Sequence, residues 1–242
     1  MRYQLARAAF DLFIPPVCFH CTRGQAVDIG LCRQCKDLLT ECEIPKRELP
    51  GQTLSGRNVY AVWYYRNGSP LRSLHRLAKY AENERVAYWL GKQLGRKMSR
   101  HREAMLQMPG PLHDMVTDRT EWVCVPVPSH PARIMERGLD STRWMGKAVA
   151  EELKMRFAPE LLKRIRLDTS QSQVDGSDRA GNVIGAFSCD DRAVCHVLLI
   201  DDIVTTGATM EAAASVLENR GHRVKLAVIG FRREMFAYTR YQ

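Results

Sequence analysis

The stretch that most constrains this chain is VLLIDDIVTTGAT, residues 197–209. With His196 before it, the apolar run reads as a strand buried on both faces, as in a parallel sheet covered by helices. Asp201 and Asp202 end that run, at the sheet edge where open α/β folds hold their ligands. TTGAT then makes the turn into a helix. A helix N-terminus presents unpaired N–H groups and a partial positive charge, so it suits a phosphate. Gly207 lets the backbone approach closely, and Thr205, Thr206 and Thr209 add hydroxyl donors. The two acids repel a phosphate, so they suit the hydroxyls of an attached sugar, or a Mg²⁺ nearby. The implied ligand is a sugar phosphate.

The neighbouring segments fit such a sheet. ATMEAAASVLENRG reads as a helix with Gly221 as its stop, and VKLAVIGF as the next strand. Together with the apolar run they form a right-handed crossover unit. Upstream, VYAVWYY reads as a strand. SPLRSLHRLAKYA reads as a helix with Ser69 as its cap and Pro70 in its first turn. A second basic helix is predicted from about Glu84 to about His101, with Val86, Leu90 and Leu94 on its apolar side. WVCVPVP, residues 122–128, reads as a strand ended by prolines. A loop carrying Arg133, Arg137 and Gly138 is predicted after it, then the amphipathic helix STRWMGKAVAEELKM. Residues 164–182 are polar with little periodicity and read as a functional loop.

The N-terminal segment has a different character. Cys18, Cys21, Cys32 and Cys35 form two C-x-x-C pairs with ten residues between them. Each pair brings two thiolates to one side of a tight turn, and two such knuckles complete a tetrahedron for a structural zinc. Four thiolates leave no open position, so the site is not expected to be catalytic. His20 is an alternative ligand, and a redox pair is the competing reading of either knuckle alone. Cys42, Cys124, Cys189 and Cys195 are scattered and read as small core residues. EIPKRELPGQTLSGRN reads as a linker. The expected organisation is a zinc-binding module over 1–50 and an α/β domain over 51–242.

Net charge is +9, and residues 57–102 hold eleven Lys/Arg against two acids. A concentrated basic block attracts phosphate, on a small molecule or on nucleic acid. Arg72, Arg76 and Lys79, on one helix, are its candidate contacts, and a solvated helical face is the alternative. No apolar run reaches the ~20 residues of a membrane span, and the N-terminus does not read as a secretory signal. A cytoplasmic protein without membrane insertion is expected.

VLLIDDIVTTGAT resembles the 5-phosphoribosyl-1-pyrophosphate (PRPP) signature of type I phosphoribosyltransferases. Joined to a four-cysteine module, it resembles the ComF family of competence and GntX-like proteins. LAKYAENERVA, VCVPVPSHPARIMERGLDSTRW and RIRLDTSQSQVDGSDRAGNVIGAF are similar to that family's segments, in its order. The resemblance implies a type I phosphoribosyltransferase-like parallel sheet flanked by helices, preceded by a small zinc ribbon. It implies that Asp201 and Asp202 bind the ribose hydroxyls of PRPP and that Thr205, Thr206, Gly207, Ala208 and Thr209 cradle its 5-phosphate. The turn containing Ser129 would hold the pyrophosphate, with Arg137 beside it. The 164–182 loop, with Arg164, Arg166, Gln171 and Arg179, would close over the site. Mg²⁺ would bridge pyrophosphate and ribose. Implied partners are PRPP, single-stranded DNA and DNA-uptake proteins. Two places depart from the family pattern. Leu139, Asp140 and Ser141 follow Arg137-Gly138 where the family has Phe-Asn-Gln, and Asp168 stands where it often has Thr. Thr205 occupies the place of the aspartate that handles the base proton in hypoxanthine-type enzymes, and Thr is no base near neutral pH. Readings as an enzyme, as a DNA-handling module and as a PRPP sensor all follow from this pattern.

Overall fold

The computed structural model describes residues 17–45, 53–54, 57–80, 83–105, 122–165, 185–191 and 193–232. The apolar run forms the centre of a sheet. The strands are β1 (Thr53–Leu54), β2 (Arg57–Tyr65), β3 (Trp122–Pro126), β4 (Arg156–Phe157), β5 (Leu162–Arg164), β6 (Phe187–Cys189), β7 (His196–Val204) and β8 (Arg223–Arg232). The order in the main sheet is β1-β2-β8-β7-β3-β4. β2, β8, β7, β3 and β4 pair in parallel, and only β1 is antiparallel, as a hairpin with β2. The short β5 and β6 form a separate antiparallel pair. Val197, Leu198, Leu199 and Ile200 are fully buried, as expected of a central parallel strand.

The described helices are α1 (Arg33–Glu41), α2 (Pro70–Tyr80), α3 (Glu84–Met105), α4 (Pro131–Arg137), α5 (Ser141–Leu153) and α6 (Ala208–Glu218). α5 links β3 to β4, and α6 links β7 to β8. The two crossovers therefore lead away from each other, and the topological switch point lies between β3 and β7. The crevice beyond the carboxyl ends of those two strands is where a doubly wound sheet takes its ligand.

α3 and α5 cross at very close range. A Cβ on Gly91 would lie 2.2 Å from the Met145 carbonyl oxygen and 2.7 Å from its Cα. One turn on, a Cβ at Gly95 would meet Glu152 Cβ at 2.7 Å. Gly91→Ala forces backbone rather than side-chain movement and is expected to cost roughly 1–3 kcal/mol, read as a lower urea midpoint with an unchanged slope.

One segment differs from the sequence reading. The loop expected around Arg133 and Arg137 is a helix, α4. Pro131 occupies its first turn, the His130 Nδ1 accepts the Ala132 N–H at 3.1 Å, and Gly138 ends it at φ 70°. These local signals outweigh the weak periodicity of seven residues. The other helices read from the sequence fall where they were expected, and α1, inside the cysteine segment, is an addition to that reading. Ser69 Oγ accepts the Arg72 N–H at the start of α2, at 3.4 Å.

The cysteine segment rests on the sheet edge. Ile44 N–H donates to the Val62 carbonyl (2.9 Å) and Tyr64 N–H to the Cys42 carbonyl (2.9 Å), so residues 42–44 run beside β2. Of the scattered cysteines, Cys42, Cys124 and Cys189 are buried. Cys195 is half-buried beside His222, whose two ring nitrogens approach Cys195 Sγ (3.5 Å) and Cys189 Sγ (3.7 Å). No helix among the described residues is long and apolar enough to cross a membrane.

Candidate functional site

The crevice at the switch point holds a cavity of about 350 Å³. β7 and the turn to α6 supply Asp201, Asp202 and residues 203–207, with Thr209 and Met210 from α6. The segment after β3 supplies Val127, Pro128, Ser129 and His130, and α4 adds Arg133 and Arg137. From β2 and α2 come Tyr65, His75 and Lys79, and Arg164 closes the rim from β5.

The turn into α6 needs its glycine for two reasons. Gly207 has φ 82°, which an L side chain rarely adopts. A Cβ there would also stand 2.0 Å from Leu54 Cδ1 of the β1–β2 hairpin. That hairpin is fastened to α6 by Arg57, which pairs with Glu211 and, at 2.6 Å, with Glu218. Arg57 thereby neutralises an acid in the first turn of the helix that faces the cavity.

The two adjacent acids have different surroundings. Asp202 is buried, and its Oδ2 receives Lys79 Nζ at 2.6 Å and His75 Nε2 at 3.2 Å. Burial opposes its charge, but the Lys79 ammonium and His75 outweigh burial and hold its carboxyl well below the usual range. Lys79 is correspondingly raised, its own burial being outweighed by Asp202. Asp201 has no such cation against it. Burial, and then the Asp202 charge next to it, push it up to about 7. On the opposite wall, Arg137 has a buried Nε without a hydrogen-bond partner, and its guanidinium lies 5.0 Å from the Tyr80 ring centre. Arg137 lines the cavity, so its guanidinium places a cation at that wall. Asp140, in the position where the resemblance leads one to expect an amide, takes a structural role. Its Oδ1 accepts from Ser129 Oγ (3.2 Å) and from the Arg143 N–H (3.4 Å), capping α5. Burial raises its carboxyl.

Comparison with known proteins agrees with this arrangement. A family model described as the phosphoribosyl transferase domain matches residues 145–235. The DNA utilization protein YhgH of Escherichia coli is 26% identical over 212 residues, covering 85% of each chain. Competence protein F of Haemophilus influenzae is 26% identical over 101 residues, 40% of this chain and 44% of that one. The adenine phosphoribosyltransferase of Methylobacillus flagellatus is 38% identical over 93 residues, 36% of this chain and 50% of that one. The chain is thus similar to the ComF group of phosphoribosyltransferase-like proteins.

Within this chain the structure brings Asp201, Asp202, Thr205, Thr206, Gly207, Thr209, Ser129 and Arg137 around one cavity. Ala208 opens α6 beside them. Gln171 and Arg179, with Arg166, lie outside the described residues. The basic trio of α2 is split. Arg72 and Arg76 are exposed, whereas Lys79 turns inward to Asp202. Several other cations of the basic block face acids: Lys92 and Arg96 meet Glu152, and Lys97 meets Glu43. Nothing local marks His75 or Tyr65 as cavity residues, since His75 sits on an amphipathic helix and Tyr65 at the end of an otherwise buried strand.

The four N-terminal cysteines also converge. Their sulfurs lie within 4.8 Å of one another. A zinc ion at ~2.3 Å from four tetrahedral thiolates sets the sulfurs about 3.8 Å apart, and Cys21 Sγ to Cys32 Sγ is 3.8 Å. The backbone N–H groups of Arg23 and Gly24 point at Cys21 and bring its thiol down to about 6. Gly24 is required there, because a Cβ would lie 2.7 Å from Cys32 Cβ. The donor set fits zinc. His20 is directed elsewhere, its Nδ1 standing 3.0 Å from Ser73 Oγ of α2.

Proposed function

We propose that this protein binds PRPP together with Mg²⁺ in the cavity between β3 and β7, and that its N-terminal module carries a structural zinc on Cys18, Cys21, Cys32 and Cys35. The observation that supports the first part is the juxtaposition of Asp201, which has no salt-bridge partner among the described residues, with the Gly207 turn at a helix N-terminus and the Arg137 side chain around one cavity. The 5-phosphate takes the N–H groups and hydroxyls of residues 205–209. The ribose hydroxyls donate to Asp201, and the pyrophosphate lies toward Ser129, Arg133 and Arg137. Mg²⁺, when bound, supplies charge neutralisation to the diphosphate. Asp202 keeps Lys79 and His75 in place and fixes the negative charge of the acid pair. The stretch 164–182, expected from the sequence as a closing loop, contributes Arg164 to the cavity rim and lies from Arg166 onward outside the described residues.

Transfer of ribose 5-phosphate to an acceptor is the reaction this ligand allows. The names of the relatives, DNA utilization protein and competence protein, support a role near nucleic-acid processing. The test is calorimetric titration of the purified chain with PRPP, with and without Mg²⁺. Micromolar binding that needs Mg²⁺ and strengthens as pH rises through about 7, where Asp201 loses its proton, is the expected outcome. Absence of binding at every pH would show that the turn is a scaffold and not a site.

A further inference from the structure

Beside the cavity lies a second, shallower groove of about 300 Å³, lined by Phe19, Ser73, Arg76, Leu77 and Tyr80. It is formed between the cysteine module and α2. Its two aromatic rings are unusually exposed, Phe19 at 54% and Tyr80 at 64%. Neither is loose. A Cβ on Gly30 would lie 2.3 Å from Phe19 Cδ2, so the Phe19 ring is packed directly on the Gly30 backbone, and Phe19 N–H donates to the Gly30 carbonyl at 2.9 Å. Tyr80 is held against the Arg137 guanidinium. Each ring is thus fixed by its neighbours while much of its surface stays in solvent. His20, next to Phe19, is tied to Ser73 on the groove floor. α2 contributes the apolar Leu77 and, next to it, the exposed Arg76, and Arg72 stands one turn earlier.

Fixed, solvent-facing aromatic rings beside arginines suit a planar ring that carries an anion. An aliphatic or purely anionic ligand would leave the aromatic surface in water. Base–aromatic stacking tolerates every base because each has a π-face, and arginine adds both stacking and a phosphate contact. We propose that this groove is a nucleotide subsite, in which a base stacks on Phe19 and Tyr80 and a phosphate rests on Arg76. The groove's own side chains carry the proposal, independently of whether PRPP fills the neighbouring cavity. Tyr80 and Arg137 form the partition between the two, so a nucleotide in the groove lies next to the sugar-phosphate site.

The test measures binding of adenosine 5′-monophosphate and of a short oligothymidylate to the full chain, by intrinsic fluorescence or calorimetry. Phe19→Leu keeps the packing on Gly30 but removes the π-face, and Phe19→Ala removes both. Stacking is worth about 1–3 kcal/mol per base, so Phe19→Leu is expected to weaken nucleotide binding roughly 5- to 150-fold. Arg76→Ala is expected to weaken binding and reduce its salt dependence. The Phe19 variants should leave PRPP affinity and the thermal transition within about twofold and a few degrees of the parent. Binding of the mononucleotide identifies a free nucleotide as the source, and binding of the oligonucleotide alone identifies a single-stranded chain. The proposal is overturned if the parent binds neither probe, or if Phe19→Leu binds both as tightly as the parent. A failed PRPP titration with intact nucleotide binding would sink only the proposal for the cavity.

Discussion

Asp201→Asn and Asp202→Asn, though adjacent and chemically identical changes, are expected to fail in opposite ways. Asp201 faces the cavity without a cation of its own, so its loss removes ligand contacts. Two hydrogen bonds to a charged group at about 1.5 kcal/mol each are worth on the order of a hundredfold in PRPP affinity. The fold should not suffer, because the wild type spends stability keeping that carboxylate buried next to another. The sign follows from linkage. A carboxyl whose folded pKa lies above its unfolded value binds more protons when folded. Its contribution to stability is therefore present at low pH and is lost as pH rises from about 4 toward 7. Asp201→Asn should equal the parent near pH 4 and exceed its thermal midpoint above pH 7. Asp202→Asn does the reverse. It leaves the Lys79 ammonium, only 24% exposed, without its 2.6 Å partner. Removing one member of a buried pair costs about 3–5 kcal/mol, on the order of 10 °C in midpoint for a chain of this size. Parallel melts of both variants from pH 4 to 8, with PRPP titrations at pH 8, check the pair. Equal stability losses in the two would overturn this division of roles.

Removal of the metal is the second large effect. Cys32→Ser is expected to drop bound zinc from one equivalent to none and to expose residues 17–45 to proteolysis. Structural zinc sites of this type contribute folding energy outright. The segment has little else to hold it, with Leu31, Leu39 and Ile44 as its fully buried aliphatic residues. The parallel sheet should survive, since its strands pair among themselves. Nucleotide binding should fall with the zinc, because Phe19 sits inside the first knuckle, whereas PRPP binding should persist. Elemental analysis and limited proteolysis of the variant measure both. Unchanged zinc content in Cys32→Ser would exclude the four-thiolate site.

Much of this was legible in residues close together in sequence. VLLIDD is a buried strand ending in acids because a continuous apolar run has no face for water. TTGAT makes a tight turn into α6 because glycine readily accepts φ 82° there. The two C-x-x-C pairs announce a metal because four thiolates within a few residues of tight turns have few other uses. Where the reading stopped, long-range geometry had taken over. Lys79 looked like one cation among eleven in a basic block, and nothing local shows that it turns inward. α4 looked like a loop because seven residues are too few for a periodic signal to stand out, although Pro131 and Gly138 marked both of its ends. Gly91 and Gly207 carry no hint in sequence of the Met145 carbonyl or the Leu54 methyl that would collide with a side chain.

What the sequence determined by itself is therefore the set of local devices: the strand, the glycine turn, the thiolate knuckles, the helix caps. Each is specified by steric and hydrogen-bonding needs that a few neighbouring residues satisfy. What only the tertiary structure decided is which charges meet. Asp202 and Lys79 are more than a hundred residues apart in the chain and 2.6 Å apart in space. That contact, made in a desolvated cleft where a charge must find a partner, is what separates two identical neighbouring acids into one held in an ion pair and one facing the cavity.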